Sequence, residues 1–145
     1  MTTNTQAEAH KALVRQFVDQ FWSRGNLAAV DELMTRDAVI HEPVAGTPED
    51  LKAVATTIRA AFPDWHSTVE EMLVEGDRVA ERWTGRGTHQ GAFQGIPATG
   101  KQVVVPGVVF YRIADGKITE FRGQFNMMSL MQQLGVIPST NAPIS

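Results

Sequence analysis

With 145 residues the chain has the size of a single domain, long enough for one core and too short for a second. Apolar residues make up 43% and charged residues 20%, as in an ordinary soluble globular domain, and 13 Lys+Arg against 16 Asp+Glu leave a net charge of −3 that argues against a broad basic face for nucleic acid. Cysteine is absent, which excludes disulfides, thiolate zinc sites and cysteine nucleophiles. No apolar run approaches the roughly 18 residues of a membrane span, and Met1–Gln6 lacks the basic and apolar regions of a secretory signal, so a cytoplasmic protein that does not bind membranes is expected.

Residues 1–7 read as a loose tail. A helix follows from about Glu8, with Leu13, Phe17 and Phe21 four apart and Val14, Val18 and Trp22 beside them; Gly25 supplies its stop. Asn26 is placed to cap a short second helix carrying Leu27, Val30, Leu33 and Met34. Asp37–Glu42 (DAVIHE) reads as a strand ended by Pro43. Thr47, Pro48, Glu49 and Asp50 have the form of a helix start: a capping hydroxyl, Pro at the first position and acids in the first turn. Leu51, Val54, Ala55, Ile58 and Phe62 then make an apolar stripe.

Beyond Pro63 the period changes to two. Strands are predicted at about 65–74, 78–89, 101–113 and 117–126, with hairpin turns at Gly76-Asp77 and Asp115-Gly116. Residues 90–100 (QGAFQGIPATG) form a Gly/Pro-punctuated connection. Pro106 has no N–H to give a ladder, so it marks a bulge or an unpaired stretch. A last helix covers about Met127 to Leu134, stopped by Gly135 and Pro138, and 139–145 read as a loose tail. Helices first and antiparallel strands after argue for α+β architecture in one domain, its ordered core at about 8–137. Three helices from the N-terminal half and a short C-terminal one would cover a curved antiparallel or mixed sheet and enclose an apolar hollow suited to a small hydrophobic molecule.

Four segments carry a resemblance: FPDWH at 62–66, WTGRGTHQGAFQGIPATG at 83–100, YRIADGKI at 111–118 and LMQQLG at 130–135. Together they resemble the SnoaL-like polyketide cyclase family of the nuclear-transport-factor-2-like superfamily, over about residues 10–136. The resemblance implies a cone-shaped fold with a deep pocket and a homodimer built through the sheet. It also implies intramolecular aldol closure of a polyketide ester by acid–base chemistry with no cofactor, an Asp on the last strand and a His on the strand before it doing most of the work. Register from YRIADGKI puts that His position at Val109 and that Asp position at Gly123, and neither residue transfers a proton. Asn126 stands where many relatives have an Asp before the final helix; an amide hydrogen-bonds but is no general base at pH 7.

Other residues must then supply any chemistry. His41, on the first strand, is a candidate base or a strand-end histidine bonded to nearby backbone. Asp64 and His66 share a strand face and could orient an imidazole, or form an Asx turn with a junction histidine. Glu81 and Arg82 point to opposite faces of one strand. Family habit favours Arg82 inward as a ligand-binding group, or paired with Asp64 or Glu120; Glu81 inward would be a desolvated acid and a better base than any other candidate. His89 reads as a turn stabiliser, and Gln124 and Asn126 as amides that touch ligand or satisfy backbone. Met127, Met128 and Met131 read as plain core or an adaptable pocket wall.

No spacing suits a metal, and no phosphate loop is present. The expected function is a cofactor-free cyclase, lyase, isomerase or hydrolase with His41, Asp64 and His66 as catalytic candidates. Arg82, Val109, Gly123, Gln124 and Asn126 are the ligand-binding candidates. The alternative is a carrier, favoured because Val109 and Gly123 enlarge and dry the cavity. Val109→His with Gly123→Asp is expected to be accepted by the fold, both side chains entering open space.

Overall fold

The computed structural model describes residues 4–137. Helix α1 (Asn4–Phe17) runs into a π-helical turn (Val18–Ser23), then α2 (Ala28–Leu33), strand β1 (Met34–Glu42), α3 (Pro48–Ala61), β2 (His66–Glu75), β3 (Arg78–Thr88), β4 (Gln102–Ala114), β5 (Lys117–Phe125) and α4 (Met127–Leu134). The strands form one mixed sheet in the order β1-β5-β4-β3-β2, with β1 parallel to β5 and the other pairs antiparallel. This is the α+β nuclear-transport-factor-2-like arrangement, helices on one sheet face.

β4 shows how the sequence chooses that face. Val103, Val105, Gly107, Val109, Tyr111 and Ile113 are buried, while Val104, Pro106, Val108 and Phe110 between them are exposed. Two buried clusters cover the inner face, one around Phe17, Phe21, Ile40, Tyr111 and Phe121, the other around Phe62, Trp65, Val103, Val105 and Leu130; half-buried Trp83 packs against both. Close approach of rings to the sheet depends on glycine. A Cβ on Gly85 would overlap the Trp65 ring, and one on Gly107 the Trp83 ring.

Several expectations shift by local chemistry. α1 starts at Asn4, ahead of Glu8, and its end widens into the π turn. Arg59 of α3 clamps that turn: Nη1 donates to the carbonyls of Trp22 (3.0 Å), Ser23 (3.3 Å) and Trp65 (3.3 Å), and Nη2 to Pro63 (3.2 Å). Asn26 does not cap α2 with its side chain; Leu27 is the N-cap residue, and the Asn26 carbonyl accepts from Ala29 N. At Thr47 the capping box is formed with Asp50. β1 begins at Met34, before Asp37.

Pro106 makes no bulge against β3, where register runs unbroken. It lies where β5 ends, Gly107 pairing with Phe125, so its missing N–H falls beyond that ladder. The vacant edge of β4 is taken by α4: the Gln133 amide accepts from Val104 N (2.8 Å) and donates to Val104 O (2.7 Å). Asp115 and Gly116 both have positive φ, as the tightest hairpin turns require. Pro138 and the expected tails at 1–3 and 139–145 lie outside the described residues. Among the described residues no helix is long and apolar enough to cross a membrane.

Gly85→Ala tests the ring seating. Forcing the Trp65 indole off β3 should cost about 1–3 kcal/mol in urea unfolding, the usual penalty for overpacking.

Candidate functional site

Directly opposed residues on neighbouring strands present their side chains to the same face. Register therefore sets Met72, Glu81, Val109 and Gly123 in one row across β2, β3, β4 and β5. The row lies on the inner face, under a cavity of about 60 Å³. Val18 and Trp22 of the π turn, Val54 and Ile58 of α3, and Leu130 of α4 close it. That is several times the roughly 10–15 Å³ one water needs, and a narrow space for an organic ligand.

The lining is apolar except at Ser67, Gln124 and Glu81. Ser67 is occupied: its Oγ accepts from Trp65 Nε1 (3.0 Å), and its backbone N donates to Ser23 Oγ (2.9 Å). Gln124 reaches the rim from an exposed position. Glu81, only 2% exposed, is the one ionisable residue among those described that line the chamber.

Tyr111 OH donates to Glu81 Oε1 at 2.7 Å, while Oε2 is buried and has no partner. Burial pushes the Glu81 carboxyl up to about 7 from its ordinary 4.5, against the opposing pull of the Tyr111 hydrogen bond and the Arg15 charge. Tyr111 is held well above its ordinary 10 by its own burial and by the neighbouring carboxylate, so it stays a donor. At neutral pH the chamber thus holds a carboxyl poised between its two forms and fixed by one oxygen.

Of the two ways β3 could face, the structure takes the one against family habit. Arg82 is on the outer face, its side chain 55% exposed, with Nε 3.4 Å from Glu71 Oε1 rather than near Asp64 or Glu120. The reason is strand parity: Val79, Glu81, Gly85 and Gly87 turn inward, so Arg78, Arg82 and Arg86 turn to solvent, where three guanidinium groups keep their hydration.

The sequence-predicted catalytic trio is not assembled. His41 alternates with the inward Ala38 and Ile40, so it lies on the outer face with Nε2 3.2 Å from Glu120 Oε2, close but out of line for a hydrogen bond. Asp64 spends both carboxylate oxygens on Thr88, accepting from its N and Oγ1 at 2.7 Å each, which holds the carboxyl below its ordinary range. His66 is exposed and pairs in register with Arg86. None of the three lines the chamber.

Asn126 caps α4, Oδ1 accepting from Ser129 N at 2.9 Å, and does not line the chamber. His89 is wholly buried, Nδ1 accepting from Thr99 N (3.2 Å), its backbone tied to Gly100 and Lys101 across the connection. Val109 and Gly123 do face the chamber. At Gly123, however, an added Cβ would fall 2.7 Å from Phe121 Cε1. The expectation that an Asp there would simply enter a cavity is corrected: the Phe121 ring leans along β5 and fills that place.

A family model for SnoaL-like polyketide cyclases matches residues 12–134. The chain belongs to the SnoaL-like polyketide cyclase family. It is 31% identical over 106 residues to the aklanonic acid methyl ester cyclase DnrD of Streptomyces peucetius, covering 72% of each chain. It is 30% identical over 130 residues to the aklanonic acid methyl ester cyclase DauD of Streptomyces sp. strain C5, covering 85% of this chain and 80% of that one. The crystal structure of AclR from Streptomyces galilaeus superposes with a TM-score of 0.84 at 34% identity, covering 94% of this chain and 90% of that one. Within this SnoaL-like scaffold, Glu81 was findable in the sequence from one signal, the arginines at 78, 82 and 86 that mark the solvent face of β3.

Two measurements follow. Gly123→Ala should cost about 1–3 kcal/mol, and Phe121→Leu in the same chain should recover part of it in a double-mutant cycle. Glu81 should also tilt the pH dependence of stability. Its carboxyl keeps a proton up to about 7 when folded and loses it near 4.5 when unfolded. The folded state therefore binds more protons between those values, and stability falls as pH rises across them. Relative to Glu81→Gln, the wild type should lose up to about 3 kcal/mol over that window.

Proposed function

We propose that the protein is a cofactor-independent enzyme that works by acid–base chemistry on a small hydrophobic carbonyl compound, a cyclase of polyketide-like esters in the first instance. One observation carries the reading: a carboxyl with an unpartnered oxygen, Glu81 Oε2, stands buried in a chamber otherwise lined mainly by apolar groups. A desolvated, half-satisfied acid destabilises the fold. A site that only sequesters an apolar molecule gains nothing from it, whereas proton exchange with a ligand does. The names of DnrD and DauD, both cyclases of a methyl ester, support the substrate class.

The second reading is a carrier of hydrophobic small molecules, and Val109 and Gly123 favour it, since neither can move a proton. A panel of polyketide methyl esters separates the two. Aldol closure is mass-neutral, so conversion is read by chromatography and NMR while native mass spectrometry reads binding. Catalysed conversion of at least one ester is expected. Binding across the panel with no conversion would establish the carrier.

A second copy of the chain is the proposed protein partner. Its support is the outer sheet face, where Leu73, Ala80 and Phe110 lie in one row and Phe110 (56%), Val108 (44%) and Val104 (46%) are exposed along β4, a patch of the kind that marks an interface. Sedimentation should give a dimer, and Phe110→Glu should shift it to monomer with the fold intact.

A further inference from the structure

Resting on the enzyme reading above, we propose that Glu81 Oε2 is the proton-transfer group of this chain, relocated to β3 from the strand positions now held by Val109 and Gly123, with Tyr111 as its positioning residue. Three observations stand behind it. The cross-strand row sets Glu81 beside Val109 on the chamber floor. Its two oxygens are inequivalent: Oε1 is anchored by Tyr111 OH at 2.7 Å, and Oε2 is free and buried. The anchor is itself fixed, because the Tyr111 ring packs edge-on against Phe17 (6.2 Å) and Phe121 (5.5 Å).

The step balances without any co-reactant. Oε2 takes the proton from the carbon next to a substrate carbonyl, and the C–H electron pair passes into the enolate. The enolate carbon bonds to a second carbonyl carbon of the same molecule, whose C=O pair becomes an alkoxide. Protonated Glu81 returns its proton to that alkoxide oxygen.

The charged and titratable groups acting on Glu81 are Tyr111 from β4 and Arg15 from α1. β2 sets Met72 opposite it, while the chamber-lining residues of the π turn, α3 and α4 are apolar. With a carboxyl poised near 7 in these surroundings, both the base and the acid form are available at neutral pH.

The test uses 2-tetralone as a small fused-ring ketone, following solvent deuterium exchange at its α carbon by NMR. Quenching of Trp65 and Trp83, which line the chamber, reports binding. Wild type should accelerate exchange. Glu81→Gln should bind the ketone and lose on the order of a hundredfold or more of the acceleration. Glu81→Asp keeps the acid and should retain a measurable part.

Tyr111→Phe removes the one hydrogen bond to the ionised form, so the rising limb of its pH–rate profile should move to higher pH. A purely structural tyrosine would lower the melting temperature and leave that limb in place. Infrared difference spectra give a readout apart from turnover: a protonated-carboxyl band near neutral pH, absent in Glu81→Gln.

If Glu81→Gln exchanges as fast as wild type, Glu81 is not the base and the enzyme reading survives. If wild type binds the ketone and gives no acceleration, the proton-transfer role of Glu81 fails, and the ester panel decides the enzyme reading separately. If the band is missing from wild type at neutral pH, or Tyr111→Phe leaves the limb where it was, the pairing described here is wrong.

Discussion

The inner face of the sheet is bare at three glycines where large rings come close to it. Trp65 rests on Gly85, Trp83 on Gly107 and Phe121 along Gly123, and in each case a Cβ on the glycine would meet the ring. Rings seated this low bring the helices close enough to enclose the space. The Arg59 clamp holds the other wall, fixing the π turn so that Val18 and Trp22 point at the sheet. A widened turn of this kind is costly in isolation and is found preferentially beside functional sites.

Enclosure in turn decides which polar groups are tolerable inside. Ser67 is admitted because Trp65 and Ser23 satisfy it. Glu81 is admitted half-satisfied, with Tyr111 on one oxygen and nothing on the other. Gly123 and Phe121 are linked: a side chain at 123 would meet the edge of the Phe121 ring, so the ring has to shift to make room for it.

Much of the fold was legible because it rests on periodicity and local chemistry. The two-residue alternation of β4, the capping box at Thr47 and the Asp115-Gly116 turn act within a few residues. The misreadings concern long-range contacts. Asn26 is drawn back to Gln20 of the π turn and leaves Leu27 as the N-cap of α2, and His41 falls outside because β1 pairs with β5 in parallel with Ala38 and Ile40 turned in. Asp64 and His66 do share a strand end, yet Thr88, 24 residues away in sequence, claims both Asp64 oxygens. Arg82 was misplaced for a different reason: a family habit was set against the parity of the strand itself, and parity decided the orientation.

Moving the acid also moves the reaction. Neighbouring strands lie about 4.8 Å apart, so a group on β3 stands roughly 10 Å across the sheet from one on β5. Glutamate's extra methylene recovers only a small part of that distance. If Glu81 is the base, the carbon that gives up its proton must sit toward β3, near Trp83 and Trp65, while the far end of the substrate lies against Phe121. A ligand whose reacting carbon lay over β5 would leave Oε2 out of reach. Trp65, Trp83 and Phe121 share the lining with Glu81, which favours a flat unsaturated system stacked on a ring. The position of one carboxyl therefore sets the orientation of the substrate as well as the acid–base chemistry.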